Sequence, residues 1–599
     1  MSRASEAAAR ADGTHARLTL RAALTGMLLG AALTLCNIYT GLKVGWGTSV
    51  SITAVLLGYG FWRAVPGSRR PFGIFENNLN QTAASAAASM SSAGLVSAMP
   101  ALTLLTGQTL SFAWLTVWVF VVSVLGVAVG AALRRQLIEV DKLPFPFGMA
   151  TAETLKEIYA KGTEAILRVK ALLGGAAVAA LLKVAEELFK LPKWGLPASL
   201  AARGALAQKG VAAISLKNLG FAIEPSLLMV GLGALIGTRA CLSVLLGAVA
   251  GWGFIAPELL ARGLVAPGKP GDVWFGPMVQ WMLWPGVGMM VAASLTSFLL
   301  SLPGIVRGLT GSRTASRNDE PAEAGYDVDR RTLLVVLAGI AVAAIAVQLH
   351  LFRIPWYGAL FGVALTFVLA IVAGRVSGET GITPVGPMGK VTQLAFGIVT
   401  PGDATSNLMA ANVTGGAASH CGDILHDLKT GQMIGAWPRP QAVAQLWGVL
   451  AGSLAGSAAY LVLIPDPKKM LLTNDWPAPA VAQWKAVAEL FQKGLSTMPA
   501  GALTALLVAA GIGVVLALIE RYAPKKVKPY LPSPTSVGLA LVIPANNSVM
   551  IAIGGIAAAL VSRRFPGWAA RFVVVIASGL IAGESLTGVV FALKKMIGG

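Results

Sequence analysis

Apolar runs recur along this chain from Leu18 to Leu593, with one clearly hydrophilic stretch between them. Runs such as Ala113–Leu133 and Thr332–Leu349 have the length, roughly 20 residues, that an α-helix needs to cross the bilayer hydrocarbon. Neither alternates with the period of two that marks an outer-membrane barrel strand. Charged residues make up 12% of the chain. Soluble domains carry about 25%, so the polar surface that several soluble domains require is missing. Glycine contributes 69 residues, and in lipid small residues let helices approach closely. These features predict an all-α, polytopic transmembrane helical bundle of about 14–16 crossing or re-entrant segments, some broken by Pro and Gly.

The formal charge of +20 raises nucleic acid as a partner, but its placement argues against one. Arg3, Arg10, Arg17 and Arg21, then Arg134, Arg135 and Lys142, then Lys525, Lys526 and Lys528 sit at the ends of apolar runs. That is the pattern of cytoplasmic loops under the positive-inside rule, and the Arg-rich start predicts a cytoplasmic N-terminus. The first apolar run is longer than a signal-peptide core and lacks a convincing small-residue cleavage site, so it reads as the first span. Cys36, Cys241 and Cys421 are odd in number and far apart, which indicates no disulfide framework.

The polar stretch 311–331 cuts the chain nearly in half. The predicted organisation is a cytoplasmic tail over 1–17, a first transmembrane half over 18–310, the linker, and a second half over 332–599. The halves share a weak repeat. "NQTAASAA" (Asn80–Ala87) aligns with "NVTGGAAS" (Asn412–Ser419), and "LPFPFGMATAETL" (Leu143–Leu155) aligns with "LPSPTSVGLAL" (Leu531–Leu541). Internal duplication with discontinuous helices is a common plan of secondary transporters.

Polar residues stand out against this apolar background. In "FENNLNQTAASAAAS", helical spacing puts Asn78, Thr82, Ser85, Ser89 and Ser92 on one stripe, flanked by Asn77 and Gln81, while Glu76 and Asn80 form a further i, i+4 pair. Amides and hydroxyls without fixed charge suit a peptide backbone or a zwitterion. They equally suit helix-to-helix adhesion. A second cluster runs from Pro401 to Gln432. It contains Asn407, Asn412 and Thr414, and helical spacing puts His420, Asp423 and Asp427 on one face and Ser419, Asp423 and His426 on another. A transport gate or proton relay, a polar helix end, and a metal site remain open for this cluster, although its spacing matches no closed zinc signature. Glu379, Glu584 and the pair Asn546 and Asn547 complete the candidates. An ionisable residue at membrane depth marks an ion or substrate path by default, and Pro544 ahead of the asparagines suggests an unwound helix whose freed carbonyls line a cavity. The N-x-S/T sequences at Asn80, Asn412 and Asn546 lie at membrane depth, where glycosylation is not expected.

Signatures of enzymes are absent: there is no Walker A loop, no G-x-S-x-G, no H-E-x-x-H and no Cys-x-x-Cys. Uphill transport would then draw on an ion gradient; a channel or an integral-membrane enzyme is the remaining alternative. Several stretches carry a family resemblance: "NIYTGLKVGWGTSVS", "FENNLNQTAAS", "DKLPFPFGMATAETL", "GRVSGETGITPVGPMGKVTQLAFG", "HDLKTGQMIGAWPRPQAVAQLWGVLAGSLAG" and "SGLIAGESLTGV". In these, and in their order, the chain resembles the oligopeptide transporter superfamily, which includes oligopeptide and yellow-stripe-like metal-chelate transporters. The resemblance implies a plasma-membrane (inner-membrane) secondary transporter that imports peptides or metal-chelator complexes with protons. The "NPG" and "KIPPR" motifs of the fungal and plant peptide branch are replaced by Lys142-Leu143-Pro144 and Trp437-Pro438-Arg439, which places the chain nearer the prokaryotic and yellow-stripe-like side.

The resulting expectation is proton-coupled uptake of small oligopeptides, with metal chelates as the alternative cargo and no cofactor. Substrate contacts are expected from Asn77, Asn78, Asn80, Gln81, Thr82, Ser85, Asn407, Asn412, Thr414, Asn546 and Asn547. Proton coupling is expected first from Glu76 and Glu584, then from Glu379, His420, Asp423, His426 and Asp427. Membrane lipids are the other expected partner, and a glycine-rich bundle is compatible with homo-oligomerisation.

Overall fold

The computed structural model describes residues 17–66, 71–160, 162–208, 211–269, 271–311, 327–495, 498–524 and 526–597. The N-terminal tail to residue 16 and residues 312–326 of the hydrophilic linker lie outside the described residues. Among the described residues, twelve helices are long and apolar enough to cross a membrane. Short or polar helices account for the difference from the larger number expected. The first half contains α1 (Leu20–Val44), α2 (Ser51–Ala64), α3 (Ile74–Ala88), α4 (Ala98–Thr106), α5 (Phe112–Arg134), α6 (Pro146–Ala160), α7 (Gly162–Phe189), α8 (Leu227–Ile236), α9 (Thr238–Ala248) and α10 (Phe275–Gly311). The second contains α11 (Arg330–Phe352), α12 (Trp356–Thr380), α13 (Val385–Val399), α14 (Ala404–Ile434), α15 (Pro438–Leu463), α16 (Pro479–Lys493), α17 (Ala502–Tyr522), α18 (Pro534–Ala540), α19 (Ala545–Arg564) and α20 (Pro566–Ile597). Among the described residues, strand is limited to two short antiparallel ladders between α7 and α8.

Local chemistry fixes where the central helices stop. Asp403 caps α14, its Oδ1 accepting from the N–H groups of Thr405 (2.9 Å) and Ser406 (3.1 Å), and Gly435 ends it in a left-handed conformation. α3 passes into a tighter turn over Ser89–Ala93 and breaks at Gly94, whose φ of +108° and contact with Asn412 exclude a side chain. α4 then continues in the same span.

Packing is reciprocal between the two halves. α1 and α2 pack on α3 as α12 and α13 pack on α14; α3 packs on α15 as α14 packs on α5. Farther out, α7 pairs with α20 as α17 pairs with α10, and α8 packs on α20 as α18 packs on α10. Each half therefore contributes helices to two groups, one built around α3 and α14, the other around α10 and α20.

Directions show that the related helices are inverted. Phe75, near the start of α3, shares an apolar cluster with Ile434 at the end of α14. At the other end of α3, Asn412 Nδ2 donates to the Ala93 carbonyl (2.9 Å). So α3 and α14, the helices with matching N-x-T sequences, run antiparallel. The starts of α1 and α3 and the ends of α5, α12 and α14 share one face, which contains Arg21, Arg134 and Arg375. The ends of α1 and α15 lie at the opposite face, with Lys43.

One sequence alignment is corrected by this arrangement. "LPFPFGMA" does not pair with Leu531–Leu541, because α18 belongs to the outer group. Its structural counterpart is "WPAPAVAQ" (Trp476–Gln483). Phe145 and Ala478, each between two prolines, have φ of +46° and +44°. Their N–H groups donate at 2.9 Å to Gly378 at the end of α12 and to Leu42 at the end of α1. In both cases Pro occupies the first helical position of the short helix that follows, α6 or α16.

Candidate functional site

A cavity of about 900 Å³ lies where these broken elements converge. Its wall is rich in hydroxyls: Ser85, Ser89 and Ser92 come from the α3 break, and Ser294, Ser297 and Ser301 from one stripe of α10. α14 adds Ser419, Asp423, His426, Asp427 and Thr430, and α16 adds Gln483 and Trp484. Phe147 and Gly148, just inside α6, and the loop between α12 and α13 complete it. Ile382 and Phe147 at the rim are 67% and 50% exposed, so the cavity reaches the surface on the face with Arg134. No Lys or Arg lines it; Asp423 and Asp427 are its formally charged side chains among the described residues.

The two carboxylates stand one helical turn apart. Asp423 Oδ2 has no hydrogen-bond partner among the described residues. With its amide turned to donate, Gln445 reaches both the Thr82 carbonyl and Asp427 Oδ2 at 3.2 Å. His426 serves as a bridge. Its Nδ1 accepts from the Gly148 N–H (3.3 Å) and its Nε2 lies 3.0 Å from Ser377 Oγ. The acceptor role at Nδ1 puts the proton of a neutral ring on Nε2, where it donates to Ser377. His426 thereby ties α14 to α6 and α12 at the cavity mouth, with Phe145 edge-on to its ring at 5.4 Å. His420, fully buried, lies outside the cavity lining, and neither ring nitrogen finds a partner among the described residues. Among the described residues, no group of three His, Cys, Asp or Glu side chains is placed to hold a metal ion. The three cysteines are unpaired and buried.

The amide stripe ahead of Ser85 faces helix contacts. Asn77 Nδ2 donates to the Val55 carbonyl (3.0 Å) and Asn80 Nδ2 to the Ala54 carbonyl (3.1 Å), so both hold α3 against α2. Gln81 donates to Asn78 Oδ1 (3.4 Å) and Thr82 Oγ1 (3.1 Å). Asn412 accepts from the Trp118 indole N–H (2.7 Å) and donates to Ala93, joining α14 to α5 and to the α3 break. Asn407 exchanges hydrogen bonds with Gln393 on α13, and Thr414 sits among the hydroxyls of Thr366 and Thr392.

The remaining carboxylates are held by donors elsewhere. Glu76 is ion-paired with Arg21 and accepts from Arg21 Nε (2.7 Å), Thr19 Oγ1 (2.8 Å) and the Gly73 N–H (3.2 Å), which ties α1 to the start of α3. Glu379 is 46% exposed and pairs with Arg375 at 3.3 Å. Glu584 accepts from Ser226 Oγ (2.8 Å) and the Leu228 N–H (2.7 Å) and lines a second cavity together with Asn547. Asn546 bonds Glu224 beside it. The helical run is interrupted at 541–544, between α18 and α19, ahead of Asn546. The Ala540 carbonyl there is taken by the buried Trp252 indole N–H (2.9 Å) instead of facing the first cavity.

Several lining residues were not singled out from the sequence. Ser294, Ser297 and Ser301 repeat at i, i+3 and i+7 in an apolar run, a legible signal. Trp484 carried none. Behind it the buried Lys390 ammonium sits 4.4 Å from the ring centroid, with no hydrogen-bond acceptor among the described residues.

Comparison with known proteins adds to this geometry. Residues 17–594 match the family described as OPT oligopeptide transporter protein. Two relatives carry the name "Putative oligopeptide transporter". YGL114W of Saccharomyces cerevisiae is 26% identical, covering 96% of this chain and 95% of its own. The protein of Haemophilus influenzae is 27% identical, covering 92% of each. The metal-nicotianamine transporter YSL2 of Oryza sativa is 24% identical, covering 97% of this chain and 93% of its own.

Proposed function

The chain belongs to the OPT oligopeptide transporter family, and we propose that it is a proton-coupled importer of small oligopeptides in the plasma (inner) membrane. The first cavity carries this reading. Its volume of about 900 Å³ falls in the range of small-molecule sites, roughly 300–1,000 Å³. It lies between two inverted, equivalent broken elements, the arrangement that places transport sites between repeats. Hydroxyls and Gln483 offer donors and acceptors to a peptide backbone, while Asp423 and Asp427 face a cationic group such as an α-ammonium.

Either a proton or the substrate cation neutralises this carboxylate pair, and that exchange couples the two. Proton transfer is assigned to Asp423 and Asp427 in preference to Glu76 or Glu584, whose carboxylates are already held by donors outside the cavity. The Arg-rich face is taken as cytoplasmic, which puts the N-terminus inside and makes this conformation inward-open.

Uptake of labelled di- to hexapeptides into proteoliposomes, with and without an imposed proton gradient, tests the reading. Accumulation is expected only with the gradient, and Asp423→Asn combined with Asp427→Asn is expected to abolish it. Undiminished accumulation by the double variant would overturn the coupling role. The name of the rice relative favours a second reading, transport of metal chelates; competition by Fe(III) or Ni chelates against peptide uptake discriminates the two.

A further inference from the structure

A second cavity, of about 600 Å³, lies on the far side of a thin wall from the first. The wall is the end of α1 and the Trp476–Trp484 segment. Asn37 and Gly45 face the first cavity, whereas Tyr39 and Lys43 face the second; Ala480 and Gln483 face the first, whereas Trp476 faces the second. The Ala478 N–H to Leu42 carbonyl bond (2.9 Å) and the edge-on contact of Tyr39 with Trp476 (5.3 Å) hold the wall together.

Charges line this cavity densely, and most are matched. Lys183 pairs with Glu186 (2.8 Å), Lys193 with Glu224 (2.9 Å), Lys595 with Glu187 (3.2 Å) and Lys469 with Asp466 (3.3 Å). The Glu584 carboxylate is held by Ser226 Oγ and the Leu228 N–H, and among the lining lysines Lys43 is the exception. Its ammonium lies 5.8 Å from the Tyr39 ring centroid and 5.3 Å from that of Trp476, and it makes no ion pair within 4 Å among the described residues. Two aromatic faces position a cation but leave its hydrogen-bond donors unused. Asp475, beside Trp476 at the rim, is exposed and likewise makes no ion pair among the described residues.

We propose that this second cavity is an outer recognition site for zwitterionic peptides, in which Lys43 takes the substrate carboxylate and Asp475 its ammonium. It rests on the peptide-transport reading and adds a site to it. Substrate would be selected here before the wall opens, and the first cavity, which has carboxylates and no lysine or arginine, would then receive its cationic end.

The test compares proteoliposome uptake of labelled trialanine, its C-terminal amide and its N-acetyl form. Lys43→Gln is expected to raise KM for trialanine by about tenfold, the loss of one charged hydrogen bond, to leave KM for the amide unchanged, and to spare the maximal rate. Lys43→Arg, which keeps the cation on the rings, should restore most of the affinity. Asp475→Asn, at an exposed position that does not threaten folding, should weaken trialanine but not the N-acetyl peptide. If trialanine and its amide keep their wild-type KM ratio in Lys43→Gln, or the N-acetyl ratio persists in Asp475→Asn, the outer site is refuted while peptide transport stands. If wild-type vesicles take up none of the three peptides, the transport reading falls first.

Discussion

Helix contacts between the halves rest on glycines, and Gly452→Ala tests how tightly. Gly448 and Gly452 on α15 lie directly on the α3 backbone at Ala83 and Ala87; Gly126 and Gly130 on α5 lie in the same way on α14 at Ala417 and Cys421. A Cβ added at Gly452 would sit 2.5 Å from both Ala87 Cα and its carbonyl oxygen, where ordinary contact begins at 3.4 Å. The helices must part by roughly 1 Å, because backbone atoms cannot rotate away as a side-chain tip can. Overpacking of this kind costs about 1–3 kcal/mol. Gly174 on α7 has nothing within 4 Å of the same position, so Gly174→Ala should gain about 1 kcal/mol from helix propensity alone. The two variants should therefore differ by about 2–4 kcal/mol in opposite directions. SDS titration of the purified protein, followed by circular dichroism, measures both. Equal stability of Gly452→Ala and Gly174→Ala would refute close backbone approach as the basis of the contact between the halves.

Glu76→Gln replaces a buried carboxylate that accepts from Arg21, Thr19 and the Gly73 N–H with a neutral amide of similar size, so it should lower stability by about 1–3 kcal/mol while retaining gradient-dependent uptake; unchanged stability with lost coupling would return the proton role to Glu76. Asn412→Leu leaves the Trp118 indole N–H and the Ala93 carbonyl unpaired and should cost about 2–4 kcal/mol, read by the same titration, with Asn407→Leu as a comparison outside that contact. Ala478→Gly relieves a left-handed φ worth roughly 1 kcal/mol and, if the wall changes φ on opening, shifts the closed-to-open ratio about fivefold. Labelling of a cysteine introduced at Ser89 by an impermeant thiol reagent from each side reads that shift, and unchanged labelling from both sides would sink it.

How much of this was legible in sequence depended on whether the signal was local. Run length and composition revealed a helical membrane bundle, because hydrocarbon thickness leaves few alternatives. The N-x-T match located the two central helices, since it is a pattern along the chain that can be read without knowing that Asn412 bonds Trp118 and Ala93 in the other half. Direction was not legible: "NQTAASAA" and "NVTGGAAS" read the same way along the chain whether the helices lie parallel or inverted. The amide stripe misled for a related reason. Helical spacing shows that Asn77, Asn80 and Ser85 share a region of α3, but α2, reached only after folding, determines that the amides meet Val55 and Ala54 while Ser85 meets the cavity. The X-Pro-X-Pro pair was half legible, and its second member was misplaced because "LPSP" resembles "LPFP" more closely than "WPAP" does. The shared left-handed φ at Phe145 and Ala478, a property of backbone conformation, identifies the true pair.

Inversion also makes the two ends of the first cavity directly comparable. The two broken elements perform the same backbone task, each donating an N–H to the end of a helix related to its partner's acceptor, yet they are in different states. Trp476 and Ala478 close their end against Tyr39 and Leu42. Phe145 is buried against His426, but the next turn exposes Phe147, and the cavity passes beside it to the surface. A symmetric pair of gates in one conformation would leave the central cavity either sealed at both ends or open at both. Closure at Ala478 with an opening beside Phe147 is the asymmetry that alternating access requires. The backbone bond itself is formed at both ends, so the asymmetry lies in the side chains beside it: Trp476 packs edge-on against Tyr39, whereas Phe147 stands exposed at the opening.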